Sequence, residues 1–593
     1  MCGVVAAFTS KPISEAPIRR ALARMYRRGP DGEGFWQEYA VALGHRRLAI
    51  LDLDARAEQP MHSACGRFVI VFNGEIYNFK ALRADLEQQG VVFRTTSDTE
   101  VLLALFAREG EAMLSKLHGM FALAIWDRTA RRGFLARDPY GIKPLYIAKI
   151  DGGVLVASQV KALLATGLVS RECNALGQAG FWMLGSVPEP HTWYRDIQSL
   201  QAGHCAWVED GRISSPQCWL DVGAAWRDAA AVASSIDDIR ALVRSALKES
   251  VARHLVSDVP VGVFLSGGID SGSVAGLMLE AGAQALEGVT IAFDEFEGSL
   301  NDEAPVAEQI AKHYGIRHIV RRVTRSEFRA DLPRILEAMD QPSIDGINTW
   351  YASKAVAERG LKVVVSGVGG DELFQGYSSF NQLPKLVSRW ASLSRIPGAM
   401  NLAQAGANWQ AARSGNGRWR HAPDWLRSVE GAWWLRRSVH APDEQIGLSG
   451  IQRIKSGEVF DVARSLRTMT GPLPVDSRLA LGQIESMTYM RNQLLRDSDW
   501  ASMDHSVELR TPLVDAHLLN QVQPLLANFY QFPGKSLLAG APDRPLPSSV
   551  IKRKKTGFGI PVSRWLRVDG SPDEKHQSDR WMRTIIDAYE GAA

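Results

Sequence analysis

The hexapeptide Ser-Gly-Gly-Ile-Asp-Ser, residues 266–271, sits between an apolar run, Val259 to Leu265, and a small-residue stretch from Gly272 to Leu277 that can open a helix. A strand that ends in a Gly-Gly turn and re-enters as a helix gathers backbone N–H groups at the positive end of the helix dipole, where anions bind. Ser266 and Ser271 add hydroxyl donors around Gly267 and Gly268. Asp270 can hold a Mg2+ that shields the oxygens of a pyrophosphate leaving ATP. A turn that uses glycine only for its backbone freedom would account for the glycines and not for the serines and aspartate around them. No Walker lysine follows, so a P-loop is the poorer reading.

The amino terminus offers a second chemistry. Cys2 is penultimate, and removal of Met1 would leave an α-amine beside the thiol. An amine with a pKa near ~8 can take the thiol's proton, directly or through water. A penultimate cysteine is incidental in most chains, so the residues that follow decide its meaning. Arg47, in the run Gly44 to Ile50, supplies a guanidinium able to grip an α-carboxylate with two bonds. Asn73 and Gly74 offer an amide NH2 and a backbone N–H to a tetrahedral oxyanion, with the Glu75 carboxylate next door. Asp98, in Ser97 to Glu100, adds a carboxylate suited to an α-ammonium group. A thiol nucleophile, an oxyanion hole and a clamp for a zwitterion describe hydrolysis of a free amino-acid amide.

Two kinds of element must position these groups. Up to residue 210 the chain reads as short strands between Gly and Asp turns: 41–51, 67–72, 119–127, 132–137, 145–150 and 154–158. Helical patterns interrupt them at 18–26 and 80–88, which predicts a strand-rich α+β domain over 1–210. Residues 211–234 carry little periodicity and read as a linker. From 235 to 593 helices alternate with buried strands: helices at 236–254, 304–314 and 351–359, strands at 259–265, 289–293, 319–323 and 362–365. That alternation predicts a parallel sheet with covering helices and a ligand at the carboxyl ends of its strands, where Ser266 and Ser366 both fall. Between 380 and 439, Trp390, Trp409, Trp419, Trp425, Trp433 and Trp434 interleave with arginines; helical packing in a large insert is the preferred explanation over a nucleic-acid or membrane face.

Composition narrows the class. The chain has 593 residues, 46% hydrophobic and 22% charged, the composition of a multidomain globular protein. A net charge of +3 from 68 basic and 65 acidic residues points to no nucleic-acid partner and no membrane role. Cys2, Cys65, Cys173, Cys205 and Cys218 form no C-x-x-C pair and indicate neither a disulfide framework nor a zinc site. No signal-peptide pattern and no apolar run of ~18 residues is present, so a cytoplasmic protein without a membrane span is expected.

With these motifs in place the chain resembles the glutamine-hydrolysing asparagine synthetase family from Met1 to about residue 566. The first half resembles a class II glutamine amidotransferase domain through Met1-Cys2-Gly3, Arg47-Leu48, Asn73-Gly74-Glu75, Ser97 to Glu100, Gly119 to Phe121 and Ala136 to Tyr146. The second half resembles an ATP-pyrophosphatase domain through Ser266 to Ser271, Asp302-Glu303, Ser366 to Phe374, Ala501 to Met503, Glu508 to Arg510, Pro512 to Asp515, and a stretch from Arg553 through Lys555, Gly557 and Phe558 to Pro561. The resemblance implies an N-terminal-nucleophile sandwich of α/β/β/α layers followed by an α/β PP-loop domain with helical additions. It implies that Cys2 attacks glutamine, that Arg47, Glu75 and Asp98 hold it, and that Asn73 and Gly74 stabilise the oxyanion. Leu265, Ile291, Ser366 and Gly367 would contact the adenosine part of ATP, Asp371 would join Asp270 at Mg2+, and Lys535 would neutralise phosphate charge. The implied reaction converts an acceptor carboxylate, ATP and L-glutamine to an amide, AMP, pyrophosphate and glutamate through an acyl-adenylate, with ammonia passed along an internal tunnel. A homodimer is compatible with the sequence.

Three positions depart from the family pattern. Where asparagine synthetases carry a glutamate in Ser-Gly-Glu-Gly, this chain has Val368, which accepts no proton. Ser-Glu-x-Lys reads Ser158-Gln159-Val160-Lys161, and Phe-Gly-Gly-Tyr reads Phe374-Gln375-Gly376-Tyr377. Three functions are therefore carried forward: asparagine synthesis, the same chemistry on another carboxylate such as a polysaccharide uronic acid or a specialised metabolite, and a binding or scaffold protein without synthetase activity.

Overall fold

A computed structural model of the chain describes residues 2–441, 464, 467–553, 559–566 and 577–590. Three sheets organise it. The first is antiparallel, in the spatial order Ile197–Ser199, Tyr146–Ile150, Gly153–Ala157, Gly3–Thr9, Val41–Arg47, Gly32–Glu38. The second runs Arg212–Ile213, His204–Glu209, Arg132–Arg137, Gly119–Asp127, Phe68–Ile76, Met61–His62, and Gln217–Cys218 also pairs with its His204–Glu209 strand.

The strand Gly3–Thr9 explains how the layers stack. Side chains alternate across a strand, so Val4, Ala6 and Phe8 face the second sheet and meet Val69, Val71, Ala124 and Leu135. Val5 and Ala7 face the other way and pack against Ile18, Ala21 and Leu22 of the helix Glu15–Arg24. Both faces are buried, which is why the run Val4 to Phe8 is apolar throughout and lacks the alternation of a solvent-facing strand. Ile70 and Phe72 repeat the arrangement on the far side, against the helices Phe79–Gln88 and Asp98–Glu109. The result is the four-layer sandwich the resemblance implied.

The third sheet is wholly parallel, in the order Arg317–Val323, Glu287–Phe293, Val261–Phe264, Val363–Val365, Glu508–Arg510. Helices Ile236–His254, Ile269–Glu280, Ala304–Tyr314 and Ile347–Glu358 cover it. Its fifth strand escapes a hydrophobicity reading because Glu508 and Arg510 are charged, yet both are fully buried and pair with each other.

The predicted strand 41–51 stops at Arg47 because that side chain turns back and donates to the carbonyls of Leu51, Asp52 and Asp54, curling the following residues into a loop. Among the tryptophans, Trp433 and Trp434 are buried with Phe380, Leu481 and Ile484, and Trp390, Trp419 and Trp425 pack on that cluster's edge. Trp409 does not follow: it is exposed. Lys555, Gly557 and Phe558 lie outside the described residues. No helix among the described residues is long and apolar enough to cross a membrane.

Candidate active sites

Cys2 enters the first sheet beside Asn73 of the second. The Cys2 backbone N–H donates to Asn73 Oδ1 (2.9 Å), which fixes the amide's orientation. Asn73 Nδ2 is buried and finds no partner among the described residues. A buried amide donor without an acceptor costs roughly 1–3 kcal/mol, so its position is explained best by an acceptor that arrives with a substrate. Gly74 is required sterically: a Cβ there would lie 2.1 Å from the Met120 carbonyl oxygen of the neighbouring strand. Burial raises the Cys2 thiol, and the amino-terminal charge and Arg47 oppose that shift, so the unprotonated thiolate depends on the cations beside it.

The charged groups named from the sequence surround this point. Asp98 opens the helix Asp98–Glu109, and its Oδ2 accepts from the Ile76 N–H (3.0 Å), tying the helix to the strand that carries Asn73. Burial pushes its carboxyl up to about 6 against the backbone N–H groups of Ile76 and Thr99. Arg47 spends donors on loop carbonyls, which immobilises a guanidinium close enough to act on the Cys2 thiol. Glu75 is buried with its Oε1 3.5 Å from Arg510 Nη2, so its counter-charge comes from the third sheet. Burial and the neighbouring Glu508 push the Glu75 carboxyl well up, and Arg510 opposes them.

Sequence reasoning missed one member. Arg28, 2% exposed, donates through Nε to the Cys2 carbonyl (3.1 Å) and through Nη1 and Nη2 to Asp499 (2.6 and 3.1 Å). It therefore anchors the backbone of the thiol residue to the C-terminal half. Nothing in the sequence near Arg28 marks it, since its partner lies 471 positions away. The run Ala136 to Tyr146, known only as a motif, has a structural role: Asp138 accepts from the N–H groups of Tyr140, Ile142 and Lys143 (2.9–3.1 Å) and shapes the loop between the two halves.

In the third sheet the strand Val261–Phe264 ends at Leu265, and Ser266 to Gly268 lead into the helix Ile269–Glu280. The hydroxyls of Ser266 and Ser271 lie 2.9 Å apart, and Gly268 N–H donates to Ser266 Oγ (3.2 Å), so the loop closes on itself, with Gly267 buried against Val306. The loop after Val363–Val365 packs directly on it. A Cβ on Gly367 would lie 2.7 Å from Ser271 N, and one on Gly370 2.5 Å from Asp270 Oδ1. Lys535 joins the two loops, donating to Asp270 Oδ2 (2.7 Å) and Asp371 Oδ1 (2.8 Å). Burial opposes its charge, and the two carboxylates more than offset that, holding the ammonium above its ordinary range. Leu265 and Ile291 are buried beneath the loops.

Asp270 and Asp371 are hard oxygen donors that converge on one ammonium, a set that suits Mg2+ when phosphate oxygens supply the remaining ligands. Among the described residues no group of three or more His, Cys, Asp or Glu could hold a metal without such help. Val368 packs against the apolar core, its N–H donating to Ser366 Oγ (3.3 Å). Four residues on, in the short helix Gly370–Leu373, Glu372 is buried against Tyr377 Oη (2.7 Å), its carboxyl pushed up to about 7 by burial and by Asp371. Glu303 lies on the pyrophosphate-loop side, against Gly267.

A nucleophile-bearing sandwich joined to a PP-loop sheet defines a two-site amidotransferase class. Sequence comparison is narrower: residues 1–219 match the glutamine amidotransferase domain, residues 242–577 match asparagine synthase, and the chain belongs to the asparagine synthase family. It is 31% identical over 617 residues to asparagine synthetase 1 (glutamine-hydrolyzing) of Bacillus subtilis, covering 99% of this chain and 91% of that one. It is 33% identical over 402 residues to asparagine synthetase B of Escherichia coli, covering 65% of this chain and 66% of that one. A Gibberella zeae protein named amidase chry2 is 31% identical over 416 residues, covering 64% and 60%.

Proposed function

We propose that the protein hydrolyses glutamine at Cys2 and uses the ammonia to amidate a carboxylate activated by ATP at residues 266–271 and 366–371, in a reaction of the asparagine synthetase type. Residues 1–210 would form the glutamine part, 211–234 the linker and 235–593 the synthetase part. One observation carries the coupling. The strand Glu508–Arg510 serves both sites, since the Arg510 carbonyl accepts from Ser366 N–H (2.8 Å) while its guanidinium reaches Glu75.

The chemistry follows from the groups. The Cys2 sulfur attacks the glutamine side-chain carbonyl, Asn73 Nδ2 and Gly74 N–H receive the oxyanion, and ammonia departs with a proton drawn from the thiol. Water then cleaves the thioester to glutamate. Arg47, Glu75 and Asp98 orient the substrate's α-groups. At the second site an acceptor carboxylate oxygen attacks the α-phosphorus of ATP and pyrophosphate leaves. Lys535 and the donors of Ser266, Gly267, Gly268 and Ser271 hold the departing charge, with Leu265, Ile291, Ser366 and Gly367 against the adenosine. Asp270 and Asp371 would hold Mg2+, which supplies further neutralisation there. Ammonia attacks the acyl carbon and AMP leaves.

A second reading concerns the acceptor: the apolar packing of Val368 favours a carboxylate other than aspartate. The removed negative charge no longer repels an incoming acid, and Glu372, neutral in part near pH 7, lies four residues on as a proton-exchanging group. The test is ATP–pyrophosphate exchange across a set of carboxylic acids, with asparagine formation measured in wild type and Val368→Glu. Wild-type asparagine formation at ~1 s−1 or faster defeats the second reading. Absence of exchange with every acid defeats the first and leaves a binding protein.

A further inference from the structure

Neither active site uses the two successive helices that follow the Phe374–Tyr377 turn, a hairpin in chain order whose arms pack on different neighbours. The helix Ser379–Leu393 and the helix Ala399–Ser414 are rooted by Phe380, Leu383 and Ala411, which are buried. Beyond that root the hairpin presents apolar side chains to solvent. Leu386 and Leu393 lie seven positions apart on one stripe of the first helix, Ile396 sits in the joint, and Leu402 and Trp409 lie seven apart on one stripe of the second. Their exposure ranges from 40% to 76%, and exposed large hydrophobics elsewhere among the described residues are scattered along the chain.

The charge of the hairpin is as unusual as its apolarity. Between Glu372 and Asp424 the sequence holds no acidic residue and six basic ones, although the whole chain is nearly balanced at 68 basic to 65 acidic. Lys385, Arg389, Arg395 and Arg413 are exposed, and the Arg413 guanidinium lies 5.1 Å from the Trp409 ring centroid. Leucine, isoleucine and tryptophan set among cations are the composition of a segment that lies in the headgroup layer of an anionic bilayer.

We propose that this hairpin docks the protein on an anionic lipid surface, with Leu386, Leu393, Ile396, Leu402 and Trp409 entering the headgroup–acyl boundary and Lys385, Arg389, Arg395 and Arg413 meeting lipid phosphates. A second copy of the chain fits less well, because a two-fold contact would place Lys385, Arg389, Arg395 and Arg413 against their own copies. Nucleic acid fits less well too: stacking on bases needs several exposed rings, and Trp409 is the exposed tryptophan of this segment.

The test sediments the full-length protein with vesicles of phosphatidylcholine alone and of phosphatidylcholine with phosphatidylglycerol. Pelleting is expected with the anionic vesicles and should weaken as salt shortens the Debye length from ~10 Å at 0.1 M to ~3 Å at 1 M. Leu402→Ser with Trp409→Ser should lower partitioning by about tenfold or more. Lys385→Gln with Arg389→Gln should lower it about fivefold per charge removed. Both variants should keep wild-type glutamine hydrolysis, which reports that they fold. Absence of pelleting, or pelleting that neither variant changes, overturns the proposal. A light-scattering mass that falls in the Leu402/Trp409 variant would assign the surface to a second copy instead. Displacement from vesicles by a single-stranded oligonucleotide would assign it to nucleic acid.

Discussion

The two sites are held together in opposite ways. At the proposed ATP site the charges close locally: Lys535 bridges Asp270 and Asp371, and one loop's glycines pack on the other within a single sheet. At the proposed glutamine site the charges close across the molecule. Arg28 on the Cys2 carbonyl is neutralised by Asp499, and Glu75, pushed toward its neutral form by burial and Glu508, faces Arg510; both partners come from the C-terminal half. An ion in a low-dielectric interior without its partner is costly, so Arg28 and Asp499 depend on each other across the two halves, whereas the Lys535 cluster balances its charge within one half. The asymmetry suits a machine in which ammonia release is worthwhile only when the second half is in place.

The sharpest break in the comparison is Cys2→Ala. Glutamine-driven amide formation should fall by roughly 10^3-fold or more, while ammonium salts at high concentration still support product formation at the untouched ATP site. Equal loss of both in a folded variant would join the sites into one chemical unit. Next in size is Arg28→Ala, which strands the Asp499 carboxylate in the interior. Removing one partner of a buried pair costs about 3–5 kcal/mol, to be read from denaturant unfolding. A cost below about 1 kcal/mol would mean that the two halves do not share their charges.

How far the sequence reveals this arrangement depends on how local each cause is. The PP-loop is legible because strand, turn, donors and helix fall within a dozen residues, and the alternation around it predicts the parallel sheet. Cys2, Asn73 and Asp98 are legible as residue types whose chemistry fits one substrate. Arg28 is not, since an arginine in a short turn looks like a surface charge until Asp499 comes within 2.6 Å. The strand Glu508–Arg510 is hidden for the same reason: its polar side chains are buried by partners distant in sequence. Val368 marks a departure that residue type alone could find, but the burial of Glu372 and its bond to Tyr377 needed the structure.

Asp270→Asn sharpens the local closure at the ATP site. It keeps the size of the side chain and removes one of the two charges facing Lys535, so pyrophosphate release should fall by about 100-fold with glutamine hydrolysis intact. Release at the wild-type rate would reduce the loop to a structural turn.

The smallest effect concerns pH and the glutamine site alone. Asp98 is raised from its ordinary range to about 6 by burial, so its charged form, which would meet the α-ammonium of glutamine, is lost as pH falls through that value. The kcat/KM for glutamine hydrolysis reports the free enzyme, and it should bend near pH 6 and fall about tenfold by one unit below. With glutamine bound, the substrate's positive charge draws the carboxyl down again, so kcat should bend at a lower pH than kcat/KM. Asp98→Asn should remove the bend and leave a low, flat profile over the same range. The ATP–pyrophosphate exchange of the same protein should show no inflection from this group, because its loops close on Lys535 and not on Asp98. A wild-type kcat/KM that stays level down to pH 5 would remove Asp98 from the glutamine clamp.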